Sequence, residues 1–546
     1  MNLNDLIAKG YFSEEMPPPF NTILLGKHCT RLILFKSTLA KRELEKIKET
    51  QPVNFSTPKQ GISRRLINIP NPVHQIMLSE LIERHWLEIR KLFKTSLLSA
   101  STPTFSKKDK RAVVQISKFN SFKEKCIELS FNKTYELKAD ISRYFPSIYT
   151  HSIPWAIHTK KLAKLQSNRR SRSLFGNLLD ESLRFGQSGQ TIGIPVGTDT
   201  SRIVAELVGC AIDNELLEGL QNEKIEVVGC RFIDDYQLYF DSQSDAEKSL
   251  KILQKILNGY SLDLNEEKTK ITSAPYSIEN DWTYQLNSCP IRTNDQSLQK
   301  HDLINYVNLL ISLSLKNRKD AVIKYGIKKL IKLVIFPENW NLYESLIFKL
   351  GLAEPAVLPY ILVFLLQNQS SFSKTKLKLF ISSIINQCTY KGHNFEIAWV
   401  LWIAKSFGLK ISYLEAQEII DSKDVISILI LLDLHSNDLI TNKRRLSIND
   451  LKLDFNSDGL MSELWLLVYE ASYKGWIKSS VLESSDFFKE LKRLKVSFYD
   501  SSRQIEYGSS NHKTQFEREK AKASMSFRGK LLKTSKKKKT KVPSDY

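Results

Sequence analysis

The sequence predicts an α+β first half followed by an all-α second half, on three observations. Residues 1 to about 290 mix strand-like and helical apolar periods, with turn punctuation at PPPF, NIPNP, YFPS, SGQTIGIPVG and NSCP. From about 300 to 500, segments such as HDLINYVNLLISLSLKN, FEIAWVLWIAKSFG and SELWLLVYEASYKGWI carry apolar residues at three and four spacing between short polar breaks, the pattern of stacked helix pairs. From Asn511 onward the apolar period disappears, and 12 Lys or Arg stand against three acidic residues, a net of +9. The expected divisions are an N-terminal extension over 1–50, a mixed domain over 51–290, an all-α helical-repeat (HEAT-like) domain over 300–510 and a disordered basic tail over 511–546.

The whole chain of 546 residues carries 80 Lys and Arg against 59 Asp and Glu, a net charge of +21. Such an excess points to an anionic partner, most often nucleic acid, and the tail with KKKK at 536–539 suits phosphates gripped without sequence readout. A membrane is the rival anionic surface. The longest apolar run, PAVLPYILVFLL from Pro355 to Leu366, is too short to span a bilayer and holds two prolines, so it reads as a buried helix. The N-terminus lacks the basic start and unbroken apolar core of a signal peptide, and a cytosolic protein is expected. Six scattered cysteines without a CxxC pair predict neither a disulfide framework nor a zinc site.

Taken in order, the elements of the mixed half converge on carboxylates. In YELKAD the alternation Tyr135, Leu137, Ala139 predicts a strand ending at Asp140, followed by a turn into the amphipathic HSIPWAIHTKKL. Downstream, RFIDDYQLYF sets Asp234 and Asp235 side by side between strand-forming runs. Adjacent like charges repel, and a carboxylate beside buried apolar surface is costly without a partner. Read alone, the pair fits an Asp-rich solvated turn as well as a metal site. With a strand-end aspartate upstream, the set is what a nucleotidyl transferase needs: carboxylates for two divalent cations about 4 Å apart, one activating a 3′-hydroxyl and one escorting a triphosphate. Hard Mg2+ or Mn2+ suits such oxygen ligands.

A resemblance carries the reading further. LKADISRYFPSIYTH resembles motif A of reverse transcriptases, GIPVGTDTSRIVAEL motif B, FIDD the YxDD box of motif C and LDLNEEKTKI motif D, while DWTYQLNS falls where a motif E primer grip is expected. The resemblance covers about residues 55–290 and implies a right-hand polymerase (fingers/palm) reverse transcriptase domain. It implies Asp140 and Asp234 as the principal metal ligands, with Asp235 their less critical neighbour. Phe145 matches the steric gate that excludes a ribose 2′-hydroxyl, so deoxynucleoside triphosphates are the expected substrates; a core Phe is the plainer alternative. TPKQGISRRLINIPNPVHQ resembles the fingers strands. Arg64 there matches the arginine reaching the α-phosphate, in preference to Arg65, and Lys59 is a partner for the γ-phosphate. Pro195 and Gly197 match the turn under the nascent base pair, and Val196 departs from the Gln that many members carry. Lys268 matches the lysine that protonates departing pyrophosphate, with a solvated lysine as the alternative.

KGYFSEEMPPPFNT, DISRYFPSIYTH, GIPVGTDTSR and the large helical half together resemble the bacterial abortive-infection, defence-associated reverse transcriptases. That resemblance implies antiphage defence, DNA synthesis that is untemplated or copied from a non-coding RNA, binding of RNA or single-stranded DNA, and homo-oligomers. It also implies priming from a protein tyrosine in some members, for which Tyr11 and Tyr546 stand out only by position. Two other readings stay open: a group II intron- or retron-like retroelement enzyme, and a non-catalytic nucleic-acid scaffold with a vestigial polymerase fold.

Overall fold

A computed structural model describes residues 1–59, 63–106, 109–115, 119–168, 171–276 and 280–503. The basic tail and Tyr546 lie outside the described residues. The described strands form three antiparallel sheets. β1 (Val53–Pro58) and β2 (Arg64–Ile69) make a hairpin with Val53 opposite Ile69, and the period-2 burial of Val53, Phe55 and Thr57 shows which face is covered. β3 (Pro103–Phe105) and β4 (Val113–Gln115) form a second, short pair. The third sheet is four-stranded, in the order β6 (Val228–Phe232), β7 (Asp235–Phe240), β5 (Tyr135–Asp140), β8 (Lys270–Ser273).

This last sheet is amphipathic for a simple reason. Leu137 and Ala139 of β5 and Tyr236, Leu238 and Phe240 of β7 alternate onto one face. That face is covered by helices Asp199–Asn222 and Gln243–Gly259, which contribute Val204, Val208, Ile212, Leu253 and Leu257 to the same core. Each such side chain contributes roughly 1.5–3 kcal/mol when fully buried. The helices start where their caps dictate. Thr198 Oγ1 accepts from the Ser201 amide at 3.2 Å, and Ser242 Oγ accepts from the Asp245 amide at 3.1 Å. The first of them stops at Glu223 with Lys224 in the left-handed region, φ +55°.

The expectation of one helical domain over 300–510 is corrected. The chain divides into two compact units, one of Met1–Pro58, Arg64–Glu279 and Ile381–Ser502, the other built on Asn280–Phe380. Helices after residue 380 therefore belong with the sheets, and the helical stretch is no single HEAT-like array. The reason lies in the β1–β2 hairpin, whose apolar face needs cover. Phe55 meets Phe395 at 6.3 Å between ring centroids, Trp465 Nε1 donates to the Ile69 carbonyl at 3.3 Å and Asn71 Nδ2 to the Leu460 carbonyl at 2.9 Å. The N-terminal residues are equally integral. Leu6, Ile7 and Tyr11 are buried, and the Tyr11 hydroxyl donates to the Pro70 carbonyl, so this tyrosine is not presented for priming.

In the second unit, helices Asp281–Ser288, Gln296–Lys316, Val322–Leu330, Trp340–Ala353 and Leu358–Gln367 follow one another, each packed on its chain neighbours. DWTYQLNS is the first of these helices. The run from Pro355 to Leu366 is a buried helix, as expected, with Leu358, Ile361 and Leu362 inaccessible. No described helix is long and apolar enough to cross a membrane. Cysteines remote in sequence do meet, with Cys126 and Cys230 Sγ atoms 3.2 Å apart as free thiols.

Candidate active site

β5 ends in Asp140, and the β6–β7 hairpin turns through the two residues Ile233 and Asp234. Phe232 pairs with Asp235 across the turn, and Asp235 pairs with Asp140 in the neighbouring ladder. Antiparallel register therefore brings together carboxylates 94 and 95 positions apart in sequence. Ile233 carries φ +62°, at the first central position of a two-residue turn where glycine is the usual occupant. A β-branched residue held there stores about 1–3 kcal/mol of strain. Three hydrogen bonds impose it. The Ile233 amide donates to Ser101 Oγ at 2.8 Å, its carbonyl accepts from Arg231 Nη1 at 2.8 Å, and the Asp234 carbonyl accepts from the Ile141 amide at 3.1 Å.

Beneath the turn lies a buried charge network. The Arg231 guanidinium is wholly inaccessible and sits 2.9 Å from Glu206 and 2.8 Å from Asp213, both on helix Asp199–Asn222. Tyr236 donates to Asp213 at 2.8 Å, Ser96 to Asp213 at 2.6 Å and Ser99 to Glu206 at 2.5 Å. Every charge thus has partners, which is the condition for keeping an ion in the interior. Gly209 leaves the room: a Cβ there would stand 2.7 Å from Arg231 Cζ.

The carboxylates above feel both burial and each other. Burial pushes the Asp234 carboxyl up to about 6, with the Asp140 charge adding to the rise. Asp235 is raised as well, by burial first, then by the charge of Asp234 and a hydrogen bond to Asp140. Both shifts run upward because burial and neighbouring negative charge disfavour the ionised carboxylate, and a bound cation would favour it. Lys268 supplies positive charge from the loop before β8, its Nζ 2.7 Å from Asp140 Oδ1. Burial pulls the Lys268 ammonium down, but the Asp140 hydrogen bond and the charges of all three aspartates outweigh it and the net shift is upward. The loop is tied in place by the Asn265 amide on the Asp140 carbonyl at 2.7 Å. Oxygen donors with raised pKa values beside one another suit a hard divalent cation. Among the described residues, no three such side chains already close around one point, and the Lys268 ammonium takes up an Asp140 oxygen instead.

Around this centre the expected residues separate into those brought together and those not. Gly197 has φ +111°, and a Cβ there would stand 3.0 Å from Ile67 Cγ2, so this turn requires glycine. Pro195 is buried beside it, and Val196 pairs through its backbone with Asn68 of β2. Phe145 is half-buried, its ring edge-on to Tyr144 at 5.9 Å and packed against the main core, so the plainer reading as a core residue holds in part.

The expectation for Arg64 is corrected. Adjacent strand residues face opposite ways. Arg64 points to Ser56 and forms a two-pronged ion pair with the buried Glu396, 2.5 and 2.8 Å, which commits its guanidinium. Arg65 is exposed, and its charge is the one that reaches Asp234. Lys59 is exposed where the chain leaves β1. Sequence reasoning also missed Arg111, which is buried, donates to Asp199 at 2.6 Å and to the Gly197 carbonyl at 2.9 Å, and so fixes the glycine turn. The available signal was Asp199, Glu206 and Asp213, acids on the apolar side of a helix, which demand buried cations.

Residues 57–306 match the family model for reverse transcriptase (RNA-dependent DNA polymerase). No curated protein matches the chain. Among solved structures, apo telomerase from Candida tropicalis aligns at 12% identity over 76% of this chain and 74% of that one, with a TM-score of 0.32. The same telomerase truncated from its C-terminal domain aligns at 13% identity over 48% of this chain, which spans 57% of that one, with a TM-score of 0.31. Telomerase from Candida albicans in complex with a fragment of telomeric RNA aligns at 15% identity, 74% and 66% coverage and a TM-score of 0.29. TM-scores this low carry no conclusion. The family match stands apart from them: residues 57–306, a little under half of the chain, are similar to reverse transcriptase (RNA-dependent DNA polymerase) domains.

Proposed function

We propose, from the premise of a reverse transcriptase domain over residues 57–306, that the chain synthesises DNA on an RNA template at Asp140, Asp234 and Asp235. The observation that carries this reading is the register pairing Asp140 with Asp235 at the strained Ile233–Asp234 turn. Two Mg2+ or Mn2+ ions bound there would activate an attacking 3′-hydroxyl and neutralise the triphosphate. The three aspartates would supply the oxygen ligands that hold that charge. Lys268, an ammonium now held on Asp140, would be free to donate to the departing pyrophosphate oxygen if cations took its place. Arg65, exposed and near enough for its charge to favour ionised Asp234, takes the phosphate role first expected of Arg64. The experiment is incorporation of labelled dNTPs in Mg2+ with and without added RNA. RNA-dependent incorporation is expected, and incorporation of ribonucleotides alone would overturn the reading.

The Phe145 ring excludes a ribose 2′-hydroxyl in this account. Phe145→Ala is expected to raise incorporation of ribonucleotides relative to deoxynucleotides at least about tenfold, since one lost steric exclusion corresponds to roughly 1–3 kcal/mol. The check is the ratio of kcat/KM for a dNTP and its NTP; an unchanged ratio would return Phe145 to a purely structural role.

For the cellular role we infer antiphage defence. Support comes from the wording of KGYFSEEMPPPFNT, DISRYFPSIYTH and GIPVGTDTSR and from the large helical content after the polymerase motifs. Phage plating on cells carrying wild type or Asp234→Asn tests it, with protection lost in the variant.

A further inference from the structure

Resting on the polymerase reading above, we propose that a cavity walled by helices Ser152–His158, Lys160–Lys164 and Phe175–Phe185 is a subsite for single-stranded nucleic acid. It stacks one base on Trp155 and holds the flanking phosphates with Lys164 and Arg172, which line it, and with Lys160, whose Nζ donates to the Gly259 carbonyl at 2.8 Å beside it. The cavity has a volume of about 880 Å³, ample for one nucleotide. The neighbouring segment is basic in sequence: KKLAKLQSNRRSR, residues 160–172, has six cations and no acid, and its Lys164 and Arg172 line the cavity.

Trp155 is the aromatic platform. Lys160 and Lys164 Nζ lie 4.9 and 4.6 Å from its ring. An exposed cation–π contact is weaker than stacking of a base on an aromatic ring, so an incoming base displaces an ammonium, which then meets the phosphate. Two carboxylates line the cavity, and both are engaged. Asp180, 6% exposed, accepts from His151 Nδ1 at 2.7 Å and Arg184 Nε at 3.1 Å, and Glu181 lies 3.5 Å from Arg172. The Asp180 contact fixes the His151 ring, leaving its second nitrogen to serve a base edge or a phosphate.

Position favours a strand over a free nucleotide. A short ribbon links the cavity to the polymerase centre: Ile194 donates to the Phe145 carbonyl at 2.9 Å, Gly193 to Ile148 at 2.9 Å and Thr150 to Thr191 at 2.8 Å. Phe145 and Tyr149, at the two ends, are separated by at most about 14 Å of fully extended chain. That is roughly four stacked nucleotides at 3.4 Å per strand step. A strand that reaches Phe145 therefore needs only a few further nucleotides to reach Tyr149 in the cavity wall.

The test is fluorescence anisotropy of a labelled oligonucleotide of about 16 nucleotides, without Mg2+ or dNTPs, on the full chain. Trp155→Ala is expected to weaken binding about tenfold, Trp155→Phe to restore most of it, and Lys160→Gln with Lys164→Gln to flatten the salt dependence by about 0.7 per charge. Photocrosslinking a 5-iodouracil oligonucleotide to wild-type protein should label the peptide carrying Tyr149 and Trp155, whatever the folding of the variants. Unchanged affinity in Trp155→Ala, or crosslinks confined to other segments, would overturn the proposal. Displacement of the strand by free dATP in wild type but not in Trp155→Ala would reassign the cavity to a mononucleotide and equally overturn it. Binding is read without catalysis, so a wild type that fails to incorporate dNTPs refutes the polymerase reading and leaves this result standing.

Discussion

Asp234→Asn is expected to lower Mg2+-dependent dNTP incorporation by at least about a thousandfold, and Asp140→Asn by a similar factor. Metal-held charge contributes several kcal/mol to such a transfer, and each 1.36 kcal/mol is tenfold in rate. Asp235, more exposed than its two neighbours, should cost less when replaced. The same substitution has an opposite effect on stability. A carboxyl at about 6 in the fold and near 3.9 unfolded contributes stability that is full below the lower value and lost as pH rises through the higher. Without metal at pH 8, Asp234→Asn should therefore melt at least as high as wild type, higher by roughly 2–4 °C for each kcal/mol of repulsion relieved. Near pH 4 the two should coincide. Steady-state incorporation and thermal melts at both pH values check the pair; a variant both active and less stable at pH 8 would contradict it.

Arg231→Met is expected to destabilise the first unit by about 3–5 kcal/mol, because Glu206 and Asp213 would remain buried without their counter-charge. Gly209→Ala should act in the same direction, since a Cβ 2.7 Å from Arg231 Cζ displaces the guanidinium from below. The loss reaches the chemistry by a defined route. Arg231 Nη1 holds the Ile233 carbonyl at 2.8 Å, and without it the left-handed Ile233 can relax and carry Asp234 away from Asp140. Replacing all three charged residues by apolar ones should recover much of the stability, as apolar residues of similar volume often do, but little of the activity. Denaturant unfolding followed by circular dichroism, with incorporation assayed on the same samples, separates the two effects.

How much was legible in sequence follows from what each feature depends on. Strand-end Asp140 and the Asp234–Asp235 turn are local patterns, and antiparallel register converts them into neighbours. Gly197 was legible because a turn residue with positive φ has few substitutes. The orientation of Arg64 against Arg65 was not legible, because it depends on Glu396, more than 300 residues later, closing over one face of β2. The split of the helical stretch was hidden for the same reason. An apolar helix face such as that of Asn394–Ser406 declares that it is buried but not against what, and here it covers a hairpin from the start of the chain. Arg231 went unremarked in the sequence; its buried place in the β6–β7 hairpin is visible only once Glu206 and Asp213 are seen beneath it.

The most direct measurement replaces Mg2+ by Fe2+ and maps the peptide-backbone cuts made by hydroxyl radicals formed at the bound metal. Cleavage is expected in two places far apart in sequence, around Asp140 and around Asp234 and Asp235, both suppressed by excess Mg2+. Cuts at only one of these segments, or cuts insensitive to Mg2+, would mean that the aspartates do not share a metal centre.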